Sequence, residues 1–147
     1  MANHEWSMPE LQTKAEAYCA ASEHCESDIR NKLRQWNVTS EQCEQIINHL
    51  RNAQYIDDMR YCNAFVHDKL LYQGWGRVKM RNALQAKHLP EESIREAIEN
   101  INETEYLHIL ERIVKQKKYT RSEQLVRFCL QRGFTLSEIK RFVKLYD

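Results

Sequence analysis

The apolar residues of this chain recur in one spacing, three times over. Counted from Ile29, the offsets 0, 4, 9, 14, 18 and 21 fall on Ile29, Leu33, Val38, Cys43, Ile47 and Leu50. Counted from Met80, the same offsets fall on Met80, Leu84, Leu89, Ile94, Ile98 and Ile101. Counted from Leu125, they fall on Leu125, Cys129, Phe134, Ile139, Val143 and Tyr146. Every one of these positions is apolar or semi-apolar, in a chain whose hydrophobic content is only 42%. A step of four keeps two side chains on one helix face, and the steps of five bracket a turn. The steps of four and three that follow belong to a second helix. Each comb therefore predicts a helix, a short turn and another helix.

The turn chemistry agrees. Thr39 has Gln42 three residues on, and Thr135 has Glu138, so both resemble capping boxes. The middle copy has Pro90 followed by Glu91 and Glu92, another recognised helix opening. A further helix is expected before each comb, at 14–24, 57–73 and 103–117. Tyr61 lies 19 residues before Met80, and Tyr106 lies 19 before Leu125, so copies two and three share register there too, while copy one is shorter. The expected architecture is all-α, with three tandem three-helix repeats at 14–56, 57–101 and 102–147, after a loose N-terminal segment at 1–13. Units this small are marginal alone and gain by stacking. Stacked in tandem without Gly/Ser linkers, they predict an elongated, slightly curved rod.

Composition narrows the alternatives. Gly 3 and Pro 2 in 147 residues cannot supply the many tight turns of a sandwich or barrel. No window approaches the ~18 apolar residues of a membrane span. The N-terminal residues have no apolar leader, and five cysteines without a CxxC pair fit a reducing compartment, so a cytoplasmic monomer is expected. Cys19, His24 and Cys25 match no standard zinc spacing, and no cofactor or metal is expected. Asp57-Asp58 precedes a helix and is read as an N-terminal cap rather than a catalytic pair. No catalytic constellation is evident.

Two of the three glycines, Gly74 and Gly76, flank Trp75 and precede Arg77, Lys79 and Arg81. A lone GxG without a preceding strand is a weak nucleotide signal, so the glycines are read as structural. Gly74 closes one helix, Gly76 releases the chain into the next, and Trp75 packs over the joint. Arg77 and Arg81 are like charges four apart, a small cost that an anionic partner would offset. The bland reading is a solvated face. A second basic run, Arg112, Lys115, Lys117, Lys118 and Arg121, has no acid within it. Cations suit a helix C-terminus, but five exceed that need. Arg127, Arg132, Lys140, Arg141 and Lys144 extend the positive character. Residues 102–147 hold 10 Lys+Arg against 6 Asp+Glu, while the whole chain is at +1. These basic residues are the candidate contacts to a nucleic acid or an acidic protein surface.

Asp57-Asp58, Arg60-Tyr61, Gly76-Arg77-Val78-Lys79 and Leu84 together resemble the central repeat of the RecX regulatory proteins. Ala17-Tyr18, Ser27, Ile29, Lys32 and Leu33 resemble it again in the first copy. The resemblance covers residues 14–147. The family often has glycine just before the apolar residue that ends the second helix. Gly133-Phe134 keeps it, whereas copy two has His88-Leu89 and copy one Asn37-Val38, so the turn of copy two is expected to be built differently. The resemblance implies a protein that is not an enzyme. RecX proteins bind the RecA recombinase as its filament on single-stranded DNA, lie in the filament groove, hinder growth, and reduce ATPase and strand exchange. The basic faces of the second and third repeats would then make the contact, with DNA touched through phosphates. The alternative readings are a helical DNA-binding protein acting without a recombinase, or a helical scaffold for another protein. The pI of 7.7 argues against a stand-alone DNA binder.

Overall fold

A computed structural model describes residues 5–117 and 121–144. Among these residues all regular structure is helical. The helices run α1 (Met8–Ala21), α2 (Glu26–Gln35), α3 (Ser40–Asn52), α4 (Asp58–Gln73), α5 (Arg77–Ala86), α6 (Glu91–Glu99), α7 (Glu103–Gln116), α8 (Ser122–Gln131) and α9 (Leu136–Ile139). The chain divides into two compact units, Met1–Tyr61 and Cys62–Asp147, and the division falls within α4.

Helix starts follow local sequence. Thr39 accepts a hydrogen bond from the Gln42 amide (3.2 Å), and Gln42 accepts one from the Thr39 amide (3.1 Å). Thr135 and Glu138 repeat the arrangement at 3.2 and 2.8 Å. Asn102 caps α7 by accepting from the Glu105 amide, and Asp57 caps α4 by accepting from the Arg60 amide, both at 2.9 Å. Each cap satisfies donors that the first helical turn leaves orphaned.

Helix ends carry the clearest repeat. Asn37, His88 and Gly133 all have positive φ, at 56°, 63° and 99°. The residue after each donates its amide to a carbonyl five back: Val38 to Leu33 (3.3 Å), Leu89 to Leu84 (3.3 Å) and Phe134 to Cys129 (3.2 Å). One left-handed cap thus ends α2, α5 and α8. The expectation of a different turn in copy two is corrected: His88 adopts the same conformation despite its side chain.

The N-terminal expectation is also corrected. The segment 1–13 is not loose throughout, because α1 begins at Met8 and buries Leu11 and Ala15. Ser7 accepts from the Glu10 amide at 3.3 Å, and Pro9 occupies the first turn, where its missing N–H costs nothing. The first helix of copy one is 14 residues long, as is α7, and is displaced rather than short.

In the first unit, α3 packs on α1 and α2. Its core joins Leu11, Ala15, Ile29, Leu33, Ile46, Ile47, Leu50 and Ile56. In the second unit, α5 packs on α6 and α8 on α9. There the comb residues Met80, Leu84, Leu89, Ile94, Ile98, Cys129, Phe134 and Ile139 are buried. On α8 the deeper residue is Val126, with Leu125 half-buried. Tyr146 lies outside the described residues. No described helix is long and apolar enough to cross a membrane.

Candidate functional site

The start of α5 is held by backbone hydrogen bonds to the turn that follows α8. The Gly76 amide donates to the Arg132 carbonyl (2.7 Å), and the Val78 amide donates to the Gly133 carbonyl (3.1 Å). A Cβ on Gly76 would lie 2.4 Å from the Gly133 carbonyl carbon, and one on Gly133 would lie 2.4 Å from Lys79 Cβ. Gly76 is therefore needed for close approach of two backbones. Gly74, at φ 63°, closes α4 as the sequence suggested.

Arg77 turns into this junction. Its guanidinium lies 3.9 Å from the Tyr106 ring centroid, donates to Glu138 Oε2 at 3.0 Å, and pairs with Glu103. The Tyr106 hydroxyl accepts from the Arg77 amide and donates to Glu138 Oε1, each at 3.1 Å. Burial pushes the Tyr106 phenol well above its ordinary range, so it stays a donor at any physiological pH. Arg77 has its charge and its donors engaged within the unit.

The remaining cations separate by surroundings. Lys79 is half-buried, 4.6 Å from the Trp75 ring centroid, with Lys69 at 4.7 Å from the same ring. Lys115 pairs with Glu111 at 2.6 Å, so a counter-ion lies one residue before the acid-free run. Arg132 donates to the Gln73 carbonyl at 3.0 Å and lies 5.1 Å from the Phe128 ring centroid, and Lys117 lies 4.4 Å from that ring. Arg81, Arg112, Arg121, Arg127, Lys140, Arg141 and Lys144 are exposed and have no ion-pair partner among the described residues. Lys118 lies outside the described residues.

Three of the candidate cations come together. Arg112, Lys117 and Arg132 line one pocket with Tyr72, Ile113 and Phe128. Sequence periodicity did not single out Tyr72, which is 79% exposed at the end of α4. Its only sequence signal is a bulky residue beside the helix-ending Gln73-Gly74.

The family model for the second three-helix domain of RecX matches residues 57–98, the stretch from the Asp57 cap through α6. The chain is 32% identical over 138 residues to the regulatory protein RecX of Clostridium botulinum (strain Eklund 17B / Type B). The chain is similar to RecX regulatory proteins over most of its length, and residues 57–98 match their second three-helix domain. That match covers 83% of this chain and 64% of the clostridial protein, so the chain spans less than two thirds of that relative's length. The regulatory protein RecX of Actinobacillus pleuropneumoniae (serotype 5b, strain L20) is 27% identical over 117 residues, 76% of each chain. Among solved structures, RecX from Lactobacillus salivarius superposes with a TM-score of 0.79 over 92% of this chain and 93% of that one, at 15% identity. A second crystal structure of regulatory protein RecX gives 0.78 over 97% and 81%, at 22% identity. At such identities the likeness establishes the helical-repeat fold.

Proposed function

We propose that this chain binds a RecA-type recombinase filament on single-stranded DNA and restrains its growth, ATPase and strand exchange. It acts by occupying surface, with no chemistry of its own. The observation that carries the reading is the set of exposed cations Arg112, Arg121, Arg127, Lys140, Arg141 and Lys144, without ion-pair partners among the described residues, on a RecX scaffold. Unpaired surface cations repel one another, and a partner that presents carboxylates or phosphates relieves that repulsion. Arg77, Lys79 and Lys115 contribute less to docking, since each already has a partner within the unit.

The test is filament length by electron microscopy, with the recombinase of the same organism assembled on circular single-stranded DNA. Adding this chain should shorten or thin the filaments at ratios well below one per recombinase subunit. Filaments of unchanged length and number at equimolar protein would contradict the proposal.

A further inference from the structure

A pocket of about 200 Å³ opens in the second unit between the end of α4, α7 and α8. Its floor is aliphatic, from Leu71, Ile109 and Ile113, with Phe128 at one side. Its rim carries Arg112, Lys117 and Arg132, and no aspartate or glutamate among the described residues lines it. Tyr72 stands beside it, 79% exposed. The volume is below the roughly 300 Å³ at which small-molecule sites begin. It is enough for one large apolar side chain. A concave apolar surface rimmed by like charges focuses positive potential, so its occupant should be apolar at one point and acidic on either side.

We propose that this pocket receives an extended acidic segment of a partner protein. One bulky apolar side chain seats against Ile109, Ile113 and Phe128. Neighbouring carboxylates pair with Arg112, Lys117 and Arg132, and Tyr72 closes over the seated side chain. Exposed tyrosine and arginine at the edge of an apolar pocket are the residue types that dominate protein-docking energetics. Single-stranded nucleic acid fits less well. The exposed Tyr72 ring offers one base a face to stack on, but the aliphatic Leu71, Ile109 and Ile113 that line the pocket suit a bulky apolar side chain better than a flat base. The inference rests on the reading that the chain acts by binding another protein, and it names the kind of segment bound.

The test uses the full chain and three fluorescent probes read by anisotropy at low salt. One is a peptide of alternating aspartate and glutamate with a single central phenylalanine, the second has alanine there, and the third is an oligothymidylate of equal charge. The phenylalanine peptide should bind with a Kd on the order of 10–100 µM. The alanine peptide should bind about tenfold more weakly, the loss expected when one large apolar side chain is no longer buried. Arg112→Glu should weaken the phenylalanine peptide several-fold while helicity by circular dichroism stays the same, because Arg112 has no ion-pair partner among the described residues to lose. Arg95→Glu, on α6 and away from the pocket, should leave binding unchanged. Equal binding of the two peptides, or no binding of either, would overturn the proposal. So would tighter binding of the oligothymidylate that Arg112→Glu abolishes, which would make the pocket a nucleic-acid surface. Failure here with normal shortening of recombinase filaments removes only this pocket. Peptide binding without any effect on filaments removes only the recombinase reading.

Discussion

Arg77 Nη1 donates to Glu138 Oε2 across 3.0 Å, joining residues 61 apart in the chain. The same carboxylate accepts from the Tyr106 hydroxyl and the Thr135 amide, so one side chain caps α9 and holds the first residue of α5 and the first turn of α7. Glu138 is 17% exposed and Arg77 25%, dry enough for the pair to matter more than a surface bridge. Arg77→Met should lower unfolding stability by about 1–2 kcal/mol, the cost of taking a charged donor from a half-buried carboxylate oxygen. Chemical denaturation followed by circular dichroism measures it. A variant as stable as the native chain would show that Arg77 is held for a partner and not for the fold.

The crossing of Gly76 and Gly133 makes a sharper prediction. Gly76→Ala sets a methyl against backbone atoms 2.4 Å away, which cannot swing aside. A cost of about 3 kcal/mol is expected. Gly74→Ala, at φ 63° with the nearest atom a mobile Ile113 Cδ1 at 3.0 Å, should cost about 1–2 kcal/mol from the left-handed backbone. Unfolding midpoints of the two variants give the order directly. Gly74→Ala being the worse of the two would reject the close-approach account.

His88 holds a left-handed cap at φ 63° with a side chain attached. Glycine removes that strain and keeps the Leu89-to-Leu84 hydrogen bond, at the expense of greater freedom in the unfolded chain. His88→Gly should therefore gain about 0.5–1 kcal/mol. Thermal melts check it, and a lower melting temperature would contradict the assignment of this turn.

Acid should act on the first unit through Glu26. Burial would raise its carboxyl, but hydrogen bonds from Arg51 and Arg30 outweigh burial and hold it below its ordinary 4.5. A carboxyl lowered on folding contributes stability that is complete above the unfolded value and fades as pH falls through the folded one. Stability should thus drop as pH falls below 4.5, and Glu26→Gln should flatten that part of the profile. Arg30 also holds Glu44 down, so some acid sensitivity remains in the variant. Native and variant profiles of equal slope below pH 4.5 would contradict it.

The fold was readable because burial in helical repeats is periodic and local. Ile29, Leu33, Met80, Leu84 and Ile139 reached the core from spacing alone, and Thr39, Asp57 and Thr135 cap where their side chains predict. The start of α1 was also written in Ser7, Pro9 and Glu10, but its apolar stripe is too thin for periodicity to show. The inward turn of Arg77 was not readable. Helical geometry puts it on an open face, and its partners Tyr106 and Glu138 come from 29 and 61 residues away. The approach of Gly76 to Gly133 leaves no local trace for the same reason. Lys115 was nearer to hand, since Glu111 sits four residues before it, one position outside the acid-free run. The convergence of Arg112, Lys117 and Arg132 on one pocket needed three helix ends placed together, which spacing along one helix cannot give.

The measurement that bears most directly on the central claim is the single-stranded-DNA-dependent ATPase of the same organism's RecA-type recombinase. This chain is titrated in beside an Arg112→Glu, Arg121→Glu, Arg127→Glu variant whose helicity matches the native protein. The account predicts that the native chain lowers the ATPase at substoichiometric amounts and that the variant needs several-fold more protein for the same effect. An ATPase unchanged by the native chain at equimolar concentration would contradict it.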